Sequence, residues 1–448
     1  MSGIAGISQP GHELLVSEML GRISHRGGTK QIITTYLQSA TLGAVTHPVQ
    51  VEFPRKPRKN PNVCDSLGSE HLALVEATPT GLLLERDALG VAPLYYCFTD
   101  EGDLCFASEI KALMIVSRKF HVLPPGYRLS GSRLKCYARL KKKTPLSLTP
   151  AEIASELRRK LEDAVRRRIG NGEVGSWLSG GLDSSGLAAL ARPLVSKLHT
   201  FAAGLRGAPD LEFARLCADY IDAKHHQVIV GPKAMLAVLP EVIYHLESFD
   251  ALLVRSSIMN YLVAKLASDY VPAVFSGEGG DELFAGYAYL KTLPTEKLAV
   301  ELLDITSRLH NTALQRVDRC SAAHGTVAHV VFLDPEVVSL ALEIPVEHKL
   351  HKGVEKWILR RALEGLLPEP VLNRPKAKFW EGAGVSEILA DYAEKHISNK
   401  DFTQVRKISD KTILNSKEEL MYYRIFREHF GEFEDLSWMG RTKGVPTS

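Results

Sequence analysis

The residues best suited to chemistry lie in one short stretch, Ser-Gly-Gly-Leu-Asp-Ser-Ser at residues 179–185. An apolar run that ends at Leu178 precedes this stretch, and a helical pattern follows it over residues 186–190. A glycine-rich turn between a strand and a helix suits an anion, because backbone amides, hydroxyls and the helix dipole all favour negative charge there. The lysine of the G-x-x-x-x-G-K-[ST] loop of kinases and GTPases is absent. A phosphate-binding loop of another kind is therefore predicted.

Asp183 changes what this loop is expected to bind. A carboxylate beside a polyphosphate repels it unless a divalent cation lies between the two groups. We therefore predict that Asp183 is a ligand of Mg²⁺. The alternative is that Gly180 and Gly181 only turn the chain and that Asp183 caps the helix.

A second polar stretch follows another apolar run. Residues 273–275 have the pattern of a strand, and Ser-Gly-Glu-Gly-Gly-Asp-Glu-Leu-Phe-Ala-Gly-Tyr follows at residues 276–287. Ligands of open parallel sheets bind at the carboxyl ends of the strands. Glu278 is therefore expected near the first loop.

Both stretches resemble the signature motifs of ATP pyrophosphatases, which cleave ATP to AMP and pyrophosphate, and more closely those of class B asparagine synthetases. The resemblance implies that a carboxylate, aspartate by default, is activated as an acyl-adenylate and attacked by ammonia, with ATP and Mg²⁺ required. Shorter matches lie at residues 3–7, 25–27, 86–96, 106–111 and 374–379.

The resemblance also implies roles for individual residues. Glu278 would govern formation and attack of the acyl-adenylate, and Lys376, as a buried lysine, would stabilise charge on the phosphates. Asp183 and Asp281 would hold Mg²⁺, and Arg255 and Asp281 would contact the acceptor acid, Arg255 as a bidentate clamp. The residues matched to ATP and pyrophosphate binding are Leu178, Ser179, Gly180, Gly181, Leu182, Asp183, Ser184, Ser185, Ala203, Ser276 and Gly277.

The N-terminal part departs from this family. Ser2 stands where glutamine-dependent members have the nucleophilic cysteine, and a hydroxyl is far less ionised than a thiol. The family's Asn-Gly pair has no counterpart between Gly43 and Leu72, and the acid that holds the glutamine amine is replaced near Gly68. Arg26 alone remains of the glutamine pocket. We predict a degenerate glutaminase that is retained for packing.

The second part departs from the family where the acceptor should bind. Leu252 and Leu253 replace two threonines that lie near aspartate in the family, and Val327, His329 and Val331 replace Glu, Arg and Pro. His329 is either a ligand contact or an ordinary packed histidine. Two alternatives stay open: an adenylating amide ligase or cyclase for another carboxylate, as in β-lactam synthetases or lasso-peptide cyclases, and a nucleotide-binding pseudoenzyme.

The patterns around these motifs predict two domains, at residues 1–145 and 146–448. The first is β-rich and, by resemblance, an α+β domain like N-terminal nucleophile hydrolases and class II glutamine amidotransferases. Thr149, Pro150 and Glu152 form a helix-start signature, and strands alternate with helices beyond it. The second is therefore an α/β parallel-sheet domain of the ATP-pyrophosphatase, or adenine nucleotide alpha hydrolase-like, type, with a helical C-terminal part. Strands are expected at 31–37, 72–75, 82–84, 94–98, 174–178, 199–204, 227–230 and 273–275, with a hairpin at 127–137 and an exposed loop at 54–61.

Composition narrows the functional class. The chain has 448 residues, a net charge of +3, 45% apolar residues and 24% charged residues, which is typical of a globular protein. Six cysteines without C-x-x-C spacing predict reduced thiols and neither zinc nor disulfides. The basic runs 141–143 and 166–168 are interpreted as solvated faces, so small molecules are the expected partners, without nucleic acid or membrane. A cytoplasmic location is expected, and a homodimer stays an open alternative.

Overall fold

The computed structural model describes residues 2–28, 30–36, 39–46, 60–66, 71–169, 174–376, 388–409 and 412–442. The strands are β1 (Ser2–Ile7), β2 (Gln31–Tyr36), β3 (Ala40–Thr46), β4 (Asn62–Ser66), β5 (Leu72–Thr78), β6 (Gly81–Arg86), β7 (Tyr95–Phe98), β8 (Leu104–Ala107), β9 (His121–Val122), β10 (Tyr127–Ser130), β11 (Arg133–Cys136), β12 (Gly175–Trp177), β13 (His199–Gly204), β14 (Lys224–Ile229), β15 (Ala273–Ser276), β16 (Val327–Val330), β17 (Leu350–His351) and β18 (Val354–Glu355). The α-helices are α1 (Glu13–Arg22), α2 (Ile110–Leu113), α3 (Pro150–Arg166), α4 (Leu182–Ala191), α5 (Pro209–Tyr220), α6 (Pro232–Leu246), α7 (Ala251–Ser268), α8 (Gly280–Leu283), α9 (Thr295–Ser307), α10 (Ala313–Ala322), α11 (Pro335–Glu343), α12 (Val346–Lys349), α13 (Trp357–Ala362), α14 (Glu369–Leu372), α15 (Ile388–His396), α16 (Asn399–Val405) and α17 (Lys417–Phe430).

Two antiparallel sheets form the N-terminal part. Their strand orders are β2-β3-β1-β8-β7-β9 and β11-β10-β6-β5-β4. Apolar side chains from both sheets, including Ile4, Leu42, Leu84, Phe106 and Leu129, form one buried cluster between them. This is the packing expected when each sheet has one apolar face, and it confirms the α+β prediction. The expected loop at 54–61 lies almost wholly outside the described residues.

Helix α3 opens the second part with the predicted capping box. The Thr149 side chain accepts a hydrogen bond from the Glu152 amide at 3.4 Å, and the Glu152 carboxylate accepts one from the Thr149 amide at 2.8 Å. Such a box satisfies two of the amides that a helix start leaves unpaired. Apolar residues at helical spacing, from Ile153 to Val165, bury the inner face of the helix.

Five parallel strands form the central sheet of this part, in the order β14-β13-β12-β15-β16. The chain passes outward from β12 through β13 to β14 and then returns to the other side of β12 to form β15. The direction of winding therefore reverses between β12 and β15, and ligands of doubly wound sheets bind at such a point. The parallel sheet and the helices that follow it confirm the α/β prediction.

Three local predictions are wrong. Helix α4 begins at Leu182, not after the phosphate loop, because Gly181 is extended and acts as the N-cap. Strand β16 was not predicted. Arg168 is buried and bonds Asp334 at 2.7 Å, so the run 166–168 is not wholly a solvated face.

Several charged groups are buried between the N-terminal sheets and helix α10. The guanidinium of Arg26 makes two contacts with the Asp318 carboxylate, at 2.8 and 2.9 Å. It also lies 3.0 Å from Asp65 and 2.8 Å from Glu109. Arg319, on the same helix as Asp318, bonds Glu109 at 2.8 Å. This interdomain ion cluster joins the N-terminal part to the helix that carries part of the site described below.

No helix in the described ranges is long and apolar enough to cross a bilayer. All six cysteines are free thiols, and four of them are buried. Within the residues that the structure describes, no three His, Cys, Asp or Glu side chains meet as a metal-binding group.

Candidate active site

A cleft of about 780 Å³ opens at the carboxyl ends of β12 and β15. Both predicted stretches line it, since residues of the 179–185 loop face residues that follow β15. Glycine makes this approach feasible: a Cβ on Gly277 would lie 3.1 Å from the Asp183 Cβ. The two motifs therefore meet in one place, as the strand pattern predicts.

The phosphate loop is held by its own hydroxyls. The hydroxyls of Ser179 and Ser184 lie 3.1 Å apart, and the Ser184 hydroxyl donates to the Gly181 carbonyl at 3.3 Å. Gly180 has a φ of +67° and packs so closely on α5 that a Cβ would lie 2.5 Å from the Ala214 nitrogen. The turn after β12 therefore requires glycine at this position.

Two carboxylates and one lysine form the centre of the cleft. The Lys356 ammonium lies 2.5 Å from Asp183 Oδ2 and 2.5 Å from Asp281 Oδ1. Gly280 and Gly286 make room for them, because a Cβ on Gly280 would lie 2.8 Å from the Asp183 oxygens and one on Gly286 only 2.0 Å from Asp281 Oδ1. The two acids expected to share a metal ion therefore face a common cation.

Lys376 extends this line of charges. Its ammonium lies 2.6 Å from Asp281 Oδ2, and its backbone amide donates to Glu355 at 3.1 Å. The prediction that Lys376 is buried is only partly correct, because its side chain is 29% exposed. An ammonium at the mouth of the cleft can contact a phosphate that enters from solvent. The family match at 377–379 lies outside the described residues.

Burial and neighbouring charges shift the ionisation of these groups. Burial raises the pKa of Asp183, against the attraction of Lys356. Burial also opposes ionisation of Asp281, but the ammonium groups of Lys356 and Lys376 outweigh it and lower the pKa of Asp281. Burial would lower the pKa of Lys376, yet the charges of Asp281 and Asp183 raise it above its ordinary value. Asp281 contacts the ammonium groups of both lysines, whereas Asp183 contacts only that of Lys356, so Asp281 holds its negative charge more firmly.

These residues fit an Mg²⁺ ion that is shared with a polyphosphate. Asp183 Oδ1 is buried and has no hydrogen-bond partner within the described ranges, which leaves one carboxylate oxygen available as a ligand. Mg²⁺ commonly takes one or two protein carboxylates and completes its shell with water and substrate phosphates. Asp183 and Asp281 supply that number of carboxylates.

Glu278 lies beyond the carboxylates in an ion pair. Its carboxylate is paired with the guanidinium of Arg316 on α10. One residue after Asp281, the Glu282 carboxylate accepts a hydrogen bond from the Tyr287 hydroxyl. Sequence reasoning did not identify Arg316 as part of the site.

The residues matched to adenosine also line the cleft. Leu178, Ala203, Ser276 and Gly277 all border the cleft. Leu178 and Ala203 are almost fully buried, so packing explains their apolar character as well as ligand contact does.

Some predicted site residues lie elsewhere. Arg255 does not line the cleft, and its guanidinium is paired with Glu418 on α17. Gly180 and Ser185 are likewise behind the cleft wall, with Ser185 fully buried. His329 is also buried and absent from the lining, and burial lowers its pKa to about 3, which fits a packed histidine.

Lys356, like Arg316, is a residue of the cleft that the sequence did not reveal. It has a φ of +54° and lies at the N-cap of α13, in a short turn without a glycine-rich or apolar signature. Its charge partners Asp183 and Asp281 lie far away in the chain. Its positive φ, which few residues other than glycine adopt, is visible only in the folded chain.

The position equivalent to a glutaminase nucleophile is buried. Ser2 is only 1% exposed, and its amide donates to Asp65 at 2.9 Å. Arg26, the remaining residue of the expected glutamine pocket, is also 1% exposed and belongs to the interdomain ion cluster. The position near Gly68 lies outside the described residues.

Family models match both parts of the chain. The asparagine synthase family model matches residues 156–304 and 293–443, and a glutamine amidotransferase domain model matches residues 62–115. Asparagine synthetase [glutamine-hydrolyzing] 2 of Arabidopsis thaliana is 35% identical over 386 residues, which are 80% of this chain and 66% of that protein. Its counterpart in Lotus japonicus is 34% identical over 82% of this chain and 67% of that protein. The chain thus spans about two thirds of the length of these relatives.

The solved structures that match this chain have low sequence identity and low TM-scores. An NMN synthetase from Francisella tularensis has 15% identity and a TM-score of 0.26, covering 64% of this chain and 98% of its own. An NH3-dependent NAD synthetase from Campylobacter jejuni has 13% identity and a TM-score of 0.28, covering 62% and 94%. The sequence matches are the decisive comparison, and by them the chain belongs to the asparagine synthase family.

Proposed function

We propose that this protein is an ATP-dependent amide ligase. It activates a carboxylic acid as an acyl-adenylate, releases pyrophosphate and transfers the acyl group to ammonia. The observation that carries the proposal is the arrangement of the 179–185 loop, Asp183, Asp281 and Lys376 around one cleft.

The first step places negative charge where the cleft is cationic. A carboxylate oxygen attacks the α-phosphorus of ATP, and the bond to the departing pyrophosphate breaks. Lys376 and Lys356 lie where they can contact the phosphates, and fixed cations at such a position lower the barrier because they need no reorganisation. Asp183 and Asp281 would hold Mg²⁺, which when bound neutralises phosphate charge.

The second step needs a proton acceptor beside the acyl carbon. Ammonia attacks the carbonyl of the acyl-adenylate, AMP departs and the nitrogen gives up a proton. Glu278 lines the cleft next to the phosphate-facing residues and can take that proton. The ion pair with Arg316 fixes the direction in which the Glu278 carboxylate points.

We further propose that the N-terminal part supplies no ammonia from glutamine. Ser2 offers a hydroxyl in place of a thiol, and both Ser2 and Arg26 are buried. The interdomain ion cluster gives this part a structural role, since it holds helix α10 and therefore Arg316.

An adenylating amide ligase or cyclase that takes another carboxylate and an amine other than ammonia is the second candidate. Leu252 lines the cleft where the family has a threonine, and this favours a changed substrate over lost catalysis. A pseudoenzyme is disfavoured because Asp183, Asp281, Glu278 and Lys376 are all present in one site.

The proposal is tested by identifying the products of the reaction. ATP, Mg²⁺, ammonium and a panel of carboxylic acids are incubated with the protein, and AMP, pyrophosphate and amide are quantified. Lys376→Ala should lower pyrophosphate release about 100- to 1,000-fold, the usual effect of losing one charge-stabilising group. Lys142→Ala removes an exposed lysine and should change nothing. Release of ADP and phosphate, or equal rates for both variants, would contradict the proposal.

A further inference from the structure

The cleft continues from the phosphate loop along the ends of two neighbouring strands. Trp177, the last residue of β12, and Ala202, on β13, both border the cleft. Leu178 and Ala203, which directly follow them, border it as well. The phosphate loop begins at Ser179. This part of the cleft is therefore next to the place where phosphate is expected.

Helix α7, which packs against β13, lines the same part of the cleft. Ser256, Asn260 and Val263 are separated by four and three residues, so they lie on one face of α7, and all three border the cleft. Together with Trp177 and Ala202 they form what we call the inner end of the cleft. Its surface is mainly apolar, which suits a ligand group that carries no charge.

Asn260 places a polar group in these apolar surroundings. The residue is only 5% exposed, and its side-chain amide has no hydrogen-bond partner among the residues that the structure describes. The Ser256 hydroxyl, one turn earlier, is already donated to the Leu253 carbonyl at 2.9 Å. A nearly buried amide without a partner is unfavourable unless a bound molecule completes its hydrogen bonds.

Adenine matches the inner end in both shape and hydrogen bonding. The nucleoside of an ATP molecule whose phosphates lie on the 179–185 loop must occupy a neighbouring part of the cleft. Adenine is planar and largely apolar, its 6-amino group donates a hydrogen bond and the adjacent ring nitrogen accepts one. An asparagine amide pairs with this edge through two hydrogen bonds. A carboxylate has only acceptor atoms and matches the amide less completely.

We propose that Asn260 binds the edge of adenine through two hydrogen bonds and so makes the protein specific for ATP. This inference rests on the use of ATP proposed above. The 6-amino group of adenine donates to Asn260 Oδ1, and Asn260 Nδ2 donates to the neighbouring ring nitrogen. Trp177 and Val263 give the base apolar contact.

Calorimetry with the full chain and Mg²⁺ compares ATP with purine riboside 5′-triphosphate, which lacks the 6-amino group. The Kd of this analogue should be about 10- to 100-fold higher than that of ATP, because the Asn260 oxygen then stays without a partner in a nearly buried place. Equal Kd values for the two nucleotides in the wild-type protein would overturn the inference.

Variants assign this discrimination to Asn260. Asn260→Leu keeps most of the volume and should raise the Kd of ATP about 10- to 100-fold but change that of the analogue little, so that the two values converge. Asn260→Asp keeps the shape, removes the donor and should raise the Kd of ATP about 10-fold; it decides the matter if circular dichroism shows that the leucine variant is unfolded. Asn399→Leu, at an exposed position of α16 outside the cleft, is the control and should change neither Kd. An unchanged ratio of the two Kd values in Asn260→Leu, or an unchanged Kd of ATP in Asn260→Asp, contradicts the assignment.

Acid-dependent exchange of labelled pyrophosphate into ATP, measured with a panel of carboxylic acids, tests the ligase separately. Exchange with at least one acid, together with equal Kd values for ATP and the analogue, overturns only the role of Asn260. Absence of exchange with every acid, together with the expected Kd values, overturns the ligase and supports Asn260 as the residue that binds the base.

Discussion

Replacing Arg26 with methionine should strongly destabilise the protein. The guanidinium is 1% exposed and contacts three carboxylates, Asp65, Glu109 and Asp318, at 2.8 to 3.0 Å. Methionine keeps most of the volume but removes the charge. The substitution therefore tests what the charge of Arg26 contributes to the stability of the interdomain ion cluster, separately from its volume.

The magnitude follows from what the substitution leaves behind. Removing one partner of a buried ion pair costs about 3–5 kcal/mol, because the remaining charge is buried without compensation. Domains are typically stable by about 5–15 kcal/mol in all, so this loss is a large fraction. Adding Asp318→Leu to Arg26→Met should recover part of it, since one uncompensated carboxylate is then removed.

Urea unfolding followed by tryptophan fluorescence measures the effect. Arg128→Met is the matched control, because Arg128 pairs with Glu85 at 3.0 Å in the same part of the chain but its side chain is 44% exposed. Exposed pairs contribute about 0–1 kcal/mol. Arg26→Met should shift the midpoint far below that of Arg128→Met. Equal midpoints for the two variants would refute the claim that the interdomain ion cluster holds the two parts together.

Three other outcomes are expected. Lys356→Met should lower pyrophosphate exchange by at least about 100-fold while ATP binding persists, because the ammonium between Asp183 and Asp281 is lost; an unchanged exchange rate would exclude a role in catalysis. Ser2→Cys should not create glutaminase activity, since the position is buried, and glutamate release from glutamine is the assay that decides. Burial lowers the pKa of His245 to about 2, so the unfolded chain binds its proton below about pH 6.5 while the folded chain does not. The contribution of neutral His245 to the free energy of unfolding is therefore complete above pH 6.5 and falls by up to about 1.4 kcal/mol per pH unit as the pH decreases. His245→Phe should flatten the acid side of a plot of urea midpoint against pH.

Local signals made much of the fold predictable. Glycine spacing located the phosphate loop, and Thr149 with Glu152 located the start of α3. Apolar residues located most strands of both parts. A strand with one buried face alternates apolar and polar residues, and a strand with two buried faces is a short continuous apolar run. Strand β16 was not predicted, and neither were β1, β3, β4, β8 and β9.

Contacts between distant positions were not predictable in the same way. Arg255 has the form of a substrate clamp in its motif, yet Glu418, 163 positions later, pairs with it. Arg26 looks like a remnant of a glutamine pocket, yet Asp318, 292 positions later, bonds it. Neither partner alters the local periodicity, so only the folded chain reveals them.

Formation of an acyl-adenylate is tested most directly by following the oxygen atoms. The acid that supports the fastest exchange is labelled with ¹⁸O in its carboxylate and converted to the amide with ATP and ammonium. Attack of that carboxylate on the α-phosphorus predicts that one ¹⁸O appears in AMP, as measured by mass spectrometry. Labelled inorganic phosphate, formed together with ADP, would mean attack on the γ-phosphorus and would contradict the account.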